Sequence, residues 1–366
     1  MEAGTAAEKG IKKAIPDAEV KVYPMADGGE GTVDAILSGL GAKRIQVEVH
    51  GPRMEKVLAE YGILPDGVTA VMEMVQAAGL TLLKMEERNP LYTTTLGVGE
   101  MIKDACDKGC RRFYIGIGGS ATNDGGIGML AALGYEFLDT EGNPVAYGAR
   151  GLECLSEIRK ENVLSVLQDC EFYIACDVKN PLCGEFGCSR VFAPQKGADE
   201  AMIAQMDVWI AHYADLAQGI LPESDPEAEG SGAAGGLGFA FQAFLNGRLQ
   251  SGSRLVMEMT GLEQAVSEAD FVITGEGRLD GQTAFGKALS VIAQTAKKYH
   301  VPAVAFAGAI QGEAEEIGKT GLCAWFPIVR EPVSLQESMQ AARASKNLSE
   351  SVEQVMRLMH CAKVGK

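Results

Sequence analysis

A chain of 366 residues is long enough for two to three domains and a substantial core. Lysine and arginine total 33 against 49 aspartate and glutamate, and the net charge of −16 argues against nucleic acid or a membrane surface as the partner. With 46% hydrophobic and 22% charged residues the chain is no disordered segment, and no apolar run reaches the ~18 residues of a membrane helix.

In chain order, residues 2–14 read as a helix and Ala18–Tyr23 as the strand after it. The pattern thus opens partway through a strand–helix–strand unit, and a first strand is expected to be missing from it. Apolar, near-continuous stretches at 113–117, 172–176, 271–274 and 303–307, bounded by Gly, Asp or Pro, predict strands buried on both faces. Helical periodicity predicts helices over 96–108, 200–218, 284–299 and 334–361. The alternation gives an α/β class built on a largely parallel sheet. Residues 220–232 form an acidic Pro/Gly/Ser connection.

Nine cysteines, odd in number, scattered and without a signal-peptide pattern ahead of them, point to a reduced cytoplasm. Cys106 and Cys110 are four apart on a predicted helix and Cys183 and Cys188 five apart, but none of the four histidines lies near either pair, so a zinc site is disfavoured.

Glycine, 45 residues or about 12% of the chain against a usual ~7%, is the compositional anomaly. Much of it falls in four polar segments that follow or lie between buried strands: ADGGEGT at 26–32, GIGGSATNDGG at 116–126, DVKNPLCG at 177–184 and TGEGRLDGQT at 274–283. Open α/β sheets place ligands at such turns. Backbone N–H donors mixed with carboxylates suit a polyphosphate carried with Mg²⁺, amides holding phosphate oxygens and acids the metal or its waters. The Walker pattern is absent. GSGAAGGLG at 230–238 has Rossmann-like spacing but no strand before it, so a small-residue helix start packed closely on a neighbour is the better reading. Lys196 in a Pro/Gly turn and Lys287 at a helix start are candidates to neutralise phosphoryl charge. His50, His212, His300 and His360 lie outside all these segments, so a carboxylate is the expected proton acceptor.

Together with FAPQKGA at 192–198, these six motifs resemble the bacterial type I glycerate kinases, in order and over nearly the whole chain. The resemblance implies ATP-dependent phosphorylation of D-glycerate, usually at the 2-hydroxyl, with Mg²⁺, in a cleft between two α/β domains. One domain is flavodoxin-like, with a parallel sheet formed from both chain ends (1–75 plus 265–366). The other is inserted as a mixed α/β domain (76–264), the boundaries falling within about 20 residues. The family's opening strand and its Lys-bearing loop have no counterpart here, so the first domain is expected to lack its first strand.

Within that frame Asp177 is the expected proton acceptor, with Lys196 and Arg278 as further catalytic residues. Asp27, Gly28, Gly29, Gly118, Gly119, Ser120, Thr122, Asn123 and Lys287 are expected to bind substrate or nucleotide, and Asp124, Glu276 and Asp280 to hold metal. Glu30 shares these options, and Arg278 could pair bidentately with a carboxylate or phosphate. Two rivals remain: an NAD-dependent hydroxy-acid dehydrogenase, which lacks its fingerprint after a strand, and a carboxylate- or nucleotide-binding protein without turnover.

Overall fold

The computed structural model describes residues 2–25, 37, 39–279, 288–311 and 317–364. Asp27, Gly28, Gly29, Glu30, Asp280 and Lys287 lie outside them. The chain divides into two compact α/β units, one of residues 1–27 with 256–366 and one of residues 28–255.

The larger unit is built on a six-stranded sheet. Its strands are β1 (Lys43–His50), β2 (Lys56–Ile63), β3 (Thr69–Glu73), β4 (Arg112–Gly116), β7 (Glu171–Ala175) and β8 (Arg248–Gln250), in the order β1-β2-β3-β4-β7-β8. β1 to β3 are antiparallel, and β3, β4, β7 and β8 run parallel. β5 (Glu136–Leu138) and β6 (Glu157–Arg159) form a separate antiparallel pair.

The expected strands at 113–117 and 172–176 are β4 and β7, and their alternation sets the core. Phe113 and Ile115 of β4 and Phe172 and Ile174 of β7 are buried on one face. Across the ladder Phe113 stacks on Phe172, and on the opposite face Tyr114 stacks on Tyr173, each with centroids 5.0 Å apart. The helix Leu96–Asp107 buries Val98, Met101, Ile102 and Ala105, one stripe at helical spacing. The helix Glu200–Ile220 buries Met206, Ile210, Tyr213, Ala214 and Ala217 in the same way, its start capped by the Asp199 carboxylate, which accepts from the Met202 N–H at 2.8 Å.

The smaller unit has a parallel sheet of β9 (Val272–Leu279), β10 (Ala303–Ile310) and β11 (Ala324–Pro327) in the order β11-β10-β9. The helix Glu2–Ala14 lies against the long C-terminal helix Ala341–Val364. The approach is close: a Cβ on Gly10 would stand 2.3 Å from the Ser349 carbonyl oxygen.

Several boundaries differ from expectation. Residues 43–73 belong to the larger unit, not to a domain ending near 75, because β3 pairs with β4 and brings β2 and β1 with it. The segment 334–361 is two helices: Ser334 and Glu337 close a capping box over a single turn, Leu335–Ser338, and the long helix restarts at Ala341. The helix expected over 284–299 is described from Ala288 to Lys298. Ala18–Tyr23 carries the alternation of a strand but forms none. It lines, together with β9 residues Ile273 and Gly275, an apolar groove of about 1520 Å³, so among the described residues it has no neighbour to complete a ladder.

The aromatic core of the larger unit makes a direct test. Phe241, on the helix Ala233–Leu245, is fully buried with its ring centroid 6.0 Å from that of Phe172. Phe241→Ala is expected to cost about 3–5 kcal/mol in denaturant unfolding, whereas Leu358→Ala at an exposed helical position stays within about 0.5 kcal/mol.

Candidate active site

Parallel pairing puts the carboxyl ends of four strands in one row, with Glu73 opposite Gly116, Gly116 opposite Ala175, and Ala175 opposite Gln250. The loops that leave this edge are the place where an open α/β sheet meets a ligand. Two of the motifs singled out above, 116–126 and 177–184, are those loops.

The first loop is divided by exposure. Gly118 and Gly119 are open to solvent, Gly119 with φ +73°, while Ser120, Thr122, Asn123 and Asp124 are buried. A glycine turn of this kind can present N–H groups to an anion. The buried half is tied inward. Asp124 is 0% exposed; its Oδ2 accepts from the Thr95 N–H at 2.8 Å and the Thr95 hydroxyl at 2.9 Å, and its Oδ1 from the Gly126 N–H at 3.1 Å. Burial pushes its carboxyl above the ordinary carboxylate range, against the pull of those donors. Asp124 therefore has no oxygen turned to a solvent-borne metal; it staples the start of the helix Leu96–Asp107 to the start of the helix Ile127–Ala132. Asn123 donates from Nδ2 to the Ser189 hydroxyl at 2.9 Å, and its Oδ1 and the Thr122 hydroxyl are buried with no hydrogen-bond partner among the described residues.

Lys196 also departs from expectation. It is 1% exposed, and its Nζ donates to Ser120 Oγ at 2.8 Å and to the Thr122 carbonyl at 2.6 Å. The ammonium clasps the loop from behind. Burial pulls its pKa down to about 8, offset by the nearby Cys188 and Asp124.

GSGAAGGLG at 230–238 packs on the same loop, as a small-residue helix start should. Gly235 has φ +69°, and its carbonyl accepts from the Gly125 N–H at 2.9 Å. A Cβ there would lie 2.1 Å from the Thr122 carbonyl oxygen, so only glycine lets the two backbones meet.

Asp177, one residue beyond Cys176 at the end of β7, is exposed and accepts from the Gly252 N–H at 3.3 Å. It is the motif carboxylate that this edge presents to solvent. Glu276 and Arg278 lie on β9 of the smaller unit, where the Arg278 guanidinium donates to the Gln311 side-chain oxygen. Sequence reasoning passed over Glu73, at the end of β3 in the row of strand ends, and Thr93 and Thr95, whose hydroxyls anchor the loop; the Thr93 hydroxyl donates to the Ala121 carbonyl at 2.7 Å, and the Thr94 hydroxyl between them accepts from the Leu96 N–H at the helix start. The signal for the threonines was a run of three just before a predicted helix.

The sheet edge and its two loops give the architecture of an open α/β sheet, a class that places ligands at the carboxyl ends of its parallel strands. The glycerate kinase family model matches residues 1–360. A glycerate 2-kinase of Escherichia coli (strain K12) is 42% identical over 361 residues, covering 97% of this chain and 95% of the relative. A glycerate kinase of Halalkalibacterium halodurans is 44% identical over 340 residues, or 93% of this chain and 90% of the relative. A crystal structure assigned as a glycerate kinase 2 from Salmonella typhimurium LT2 superposes with a TM-score of 0.88 at 40% identity, covering 99% of this chain and 94% of that one. The chain belongs to the glycerate kinase family.

The lowered pKa of Lys196 has a consequence for stability. The folded protein gives up this proton near pH 8 and the unfolded chain near the ordinary 10.5, so between those values the folded state binds fewer protons and stability rises with pH. The rise from this group is about 2 kcal/mol between pH 7 and about pH 9.5. Lys196→Met is expected to lack it. Denaturant unfolding of both proteins at the two pH values checks this, and parallel changes in the two would remove the assignment.

Proposed function

We propose that the protein is an ATP-dependent glycerate kinase that transfers the γ-phosphoryl group to the 2-hydroxyl of D-glycerate in the cytoplasm. The observation that carries this reading is the exposed Asp177 carboxylate beside the exposed Gly118–Gly119 turn, at one edge of a parallel sheet, in a chain of the glycerate kinase family.

The chemistry follows from the placements. Phosphoryl transfer depends mainly on positioning and electrostatics. Asp177 orients the substrate hydroxyl and takes its proton as the oxygen attacks phosphorus. The Gly118 and Gly119 amides receive phosphate oxygens. Lys196, Thr122, Asn123 and Asp124 keep that turn in place from behind, with Ser120 as the hydroxyl that Lys196 grips. Arg278 offers a planar guanidinium to the glycerate carboxylate or a phosphate. Asp27, Gly28, Gly29 and Lys287, outside the described residues, keep in this reading the nucleotide and substrate roles that the family resemblance implies.

The donor set bears on Mg²⁺. Among the described residues no group of three or more His, Cys, Asp or Glu side chains could hold a metal ion. Mg²⁺ ordinarily sits on substrate phosphates and water with one or two carboxylates, so it does not call for such a group. Glu276, with Asp280 beyond β9, would supply those carboxylates; Asp124 would not. The ion supplies neutralisation of phosphate charge when bound.

The test is ADP release from MgATP with and without D-glycerate, with ³¹P NMR to assign the product. Glycerate-dependent release and 2-phosphoglycerate are expected; equal release in both arms would refute the kinase reading. Asp177→Asn is expected to lower kcat by at least about 10²-fold with little change in the KM for ATP. A variant within about threefold of the parent would take Asp177 out of the base role.

A further inference from the structure

We propose that Cys106 and Cys170 are a peroxide-reactive thiol pair that closes to a disulfide across the base of the larger unit. Cys106 lies in the last turn of the helix Leu96–Asp107, and Cys170 immediately precedes β7. Although 64 positions apart in sequence, their sulfurs are 3.9 Å apart. A disulfide needs them to close to ~2.05 Å, a movement within the reach of two side-chain torsions.

The surroundings divide the labour between the two. Cys106 is buried, whereas Cys170 is partly exposed. Arg111 Nη1 donates to the carbonyls of Cys106 at 3.0 Å and Cys110 at 2.7 Å, which fixes a cation beside the pair. The hydrogen bond from Cys106 and the Arg111 charge draw the Cys170 thiol below its ordinary range, while that same contact and burial push Cys106 well above it. The contact biases Cys170 over Cys106 toward the thiolate, the asymmetry of an attacking and a resolving cysteine.

The reaction uses hydrogen peroxide as oxidant. The Cys170 thiolate attacks one peroxide oxygen, the O–O bond breaks, and hydroxide leaves, giving a sulfenic acid at Cys170. Cys106 sulfur then attacks the sulfenic sulfur; the S–O bond breaks, and the oxygen departs as water with the Cys106 proton. Two electrons pass from the two thiols to peroxide. The closed loop runs from residue 106 to residue 170 and contains β4 and the turn at Gly118–Gly119, so the bridge constrains the unfolded chain over that length.

The experiment oxidises native protein with a few equivalents of hydrogen peroxide, stops the reaction with catalase, and alkylates the remaining thiols in denaturant. Tryptic peptides are then read by mass spectrometry without reduction. The expected product links fragment 104–108 to fragment 161–179 through Cys170, with loss of two hydrogens, while Cys154 and Cys323 remain alkylated. Fragment 161–179 also holds Cys176, so tandem spectra locate the bond. Tm of the oxidised protein is expected to rise by about 5 °C or more. In Cys106→Ser, or in Cys106→Ala should the first fold poorly, Cys170 is left as sulfenic acid and reacts with dimedone at least about fivefold more than Cys154. Linkage through Cys176, prior oxidation of the exposed thiols, or no dimedone adduct on Cys170 in either variant would overturn the proposal.

Discussion

The loop from Gly118 to Asp124 leaves β4 at the carboxyl edge of the sheet and turns into a helix, and its backbone pairs only briefly, at an antiparallel bridge of Ser120 with Gly79 where the Leu80 N–H donates to the Gly119 carbonyl and the Ala121 N–H to the Ala78 carbonyl, each at 2.9 Å, among the described residues. Buried polar contacts set the rest of its course: the Lys196 ammonium from behind, the Thr95 amide and hydroxyl on Asp124, and the Thr93 hydroxyl on the Ala121 carbonyl. Groups this deeply buried are costly when unpaired, so the loop has few alternatives to the one course that satisfies them. The position of Gly118 and Gly119 beside Asp177 depends on that constraint.

The same constraint explains why the charges sit where they do. Burial lowers the pKa of Lys196 and raises that of Asp124, so for each group the cost of leaving water outweighs the contacts it gains. Lys196 gains the Ser120 and Thr122 acceptors and the Asp124 charge, while Asp124 is held by the Thr95 and Gly126 donors. The helix start at 233–238 adds a steric limit, since Gly235 admits the Thr122 carbonyl where any side chain would collide with it. Electrostatics and backbone contact therefore hold the turn from two directions.

Much of this was legible in the sequence, for identifiable reasons. β4, β7, β9 and β10 are short apolar runs between turn residues, and the helices Leu96–Asp107 and Glu200–Ile220 repeat buried residues at three and four. Such patterns survive because both faces, or one stripe, must leave water. Ala18–Tyr23 alternates as a strand does and yet forms none, because a ladder requires a neighbour as well as a propensity, and the groove beside β9 supplies none among the described residues. β1 and β2 were passed over because their strands mix charged and apolar residues, and what places them is pairing to β3 rather than burial of a continuous run.

The motif GGSATND shows where sequence reasoning about a site stops. Its polar residues look alike as candidate ligands, and residue type alone assigns Ser120, Thr122, Asn123 and Asp124 to the ligand as readily as the glycines. Burial separates them: the first two positions face solvent, and the next five turn inward. Burial of a single side chain depends on elements far along the chain, here the Lys196 turn, the helix at 233–245 and the threonines at 93–95. A polar residue in such a motif thus has two ways to matter, by meeting the ligand or by fixing the backbone that does. In this chain the Lys196 side chain, an obvious charge for a phosphate in the neighbouring FAPQKGA motif, is committed to the second.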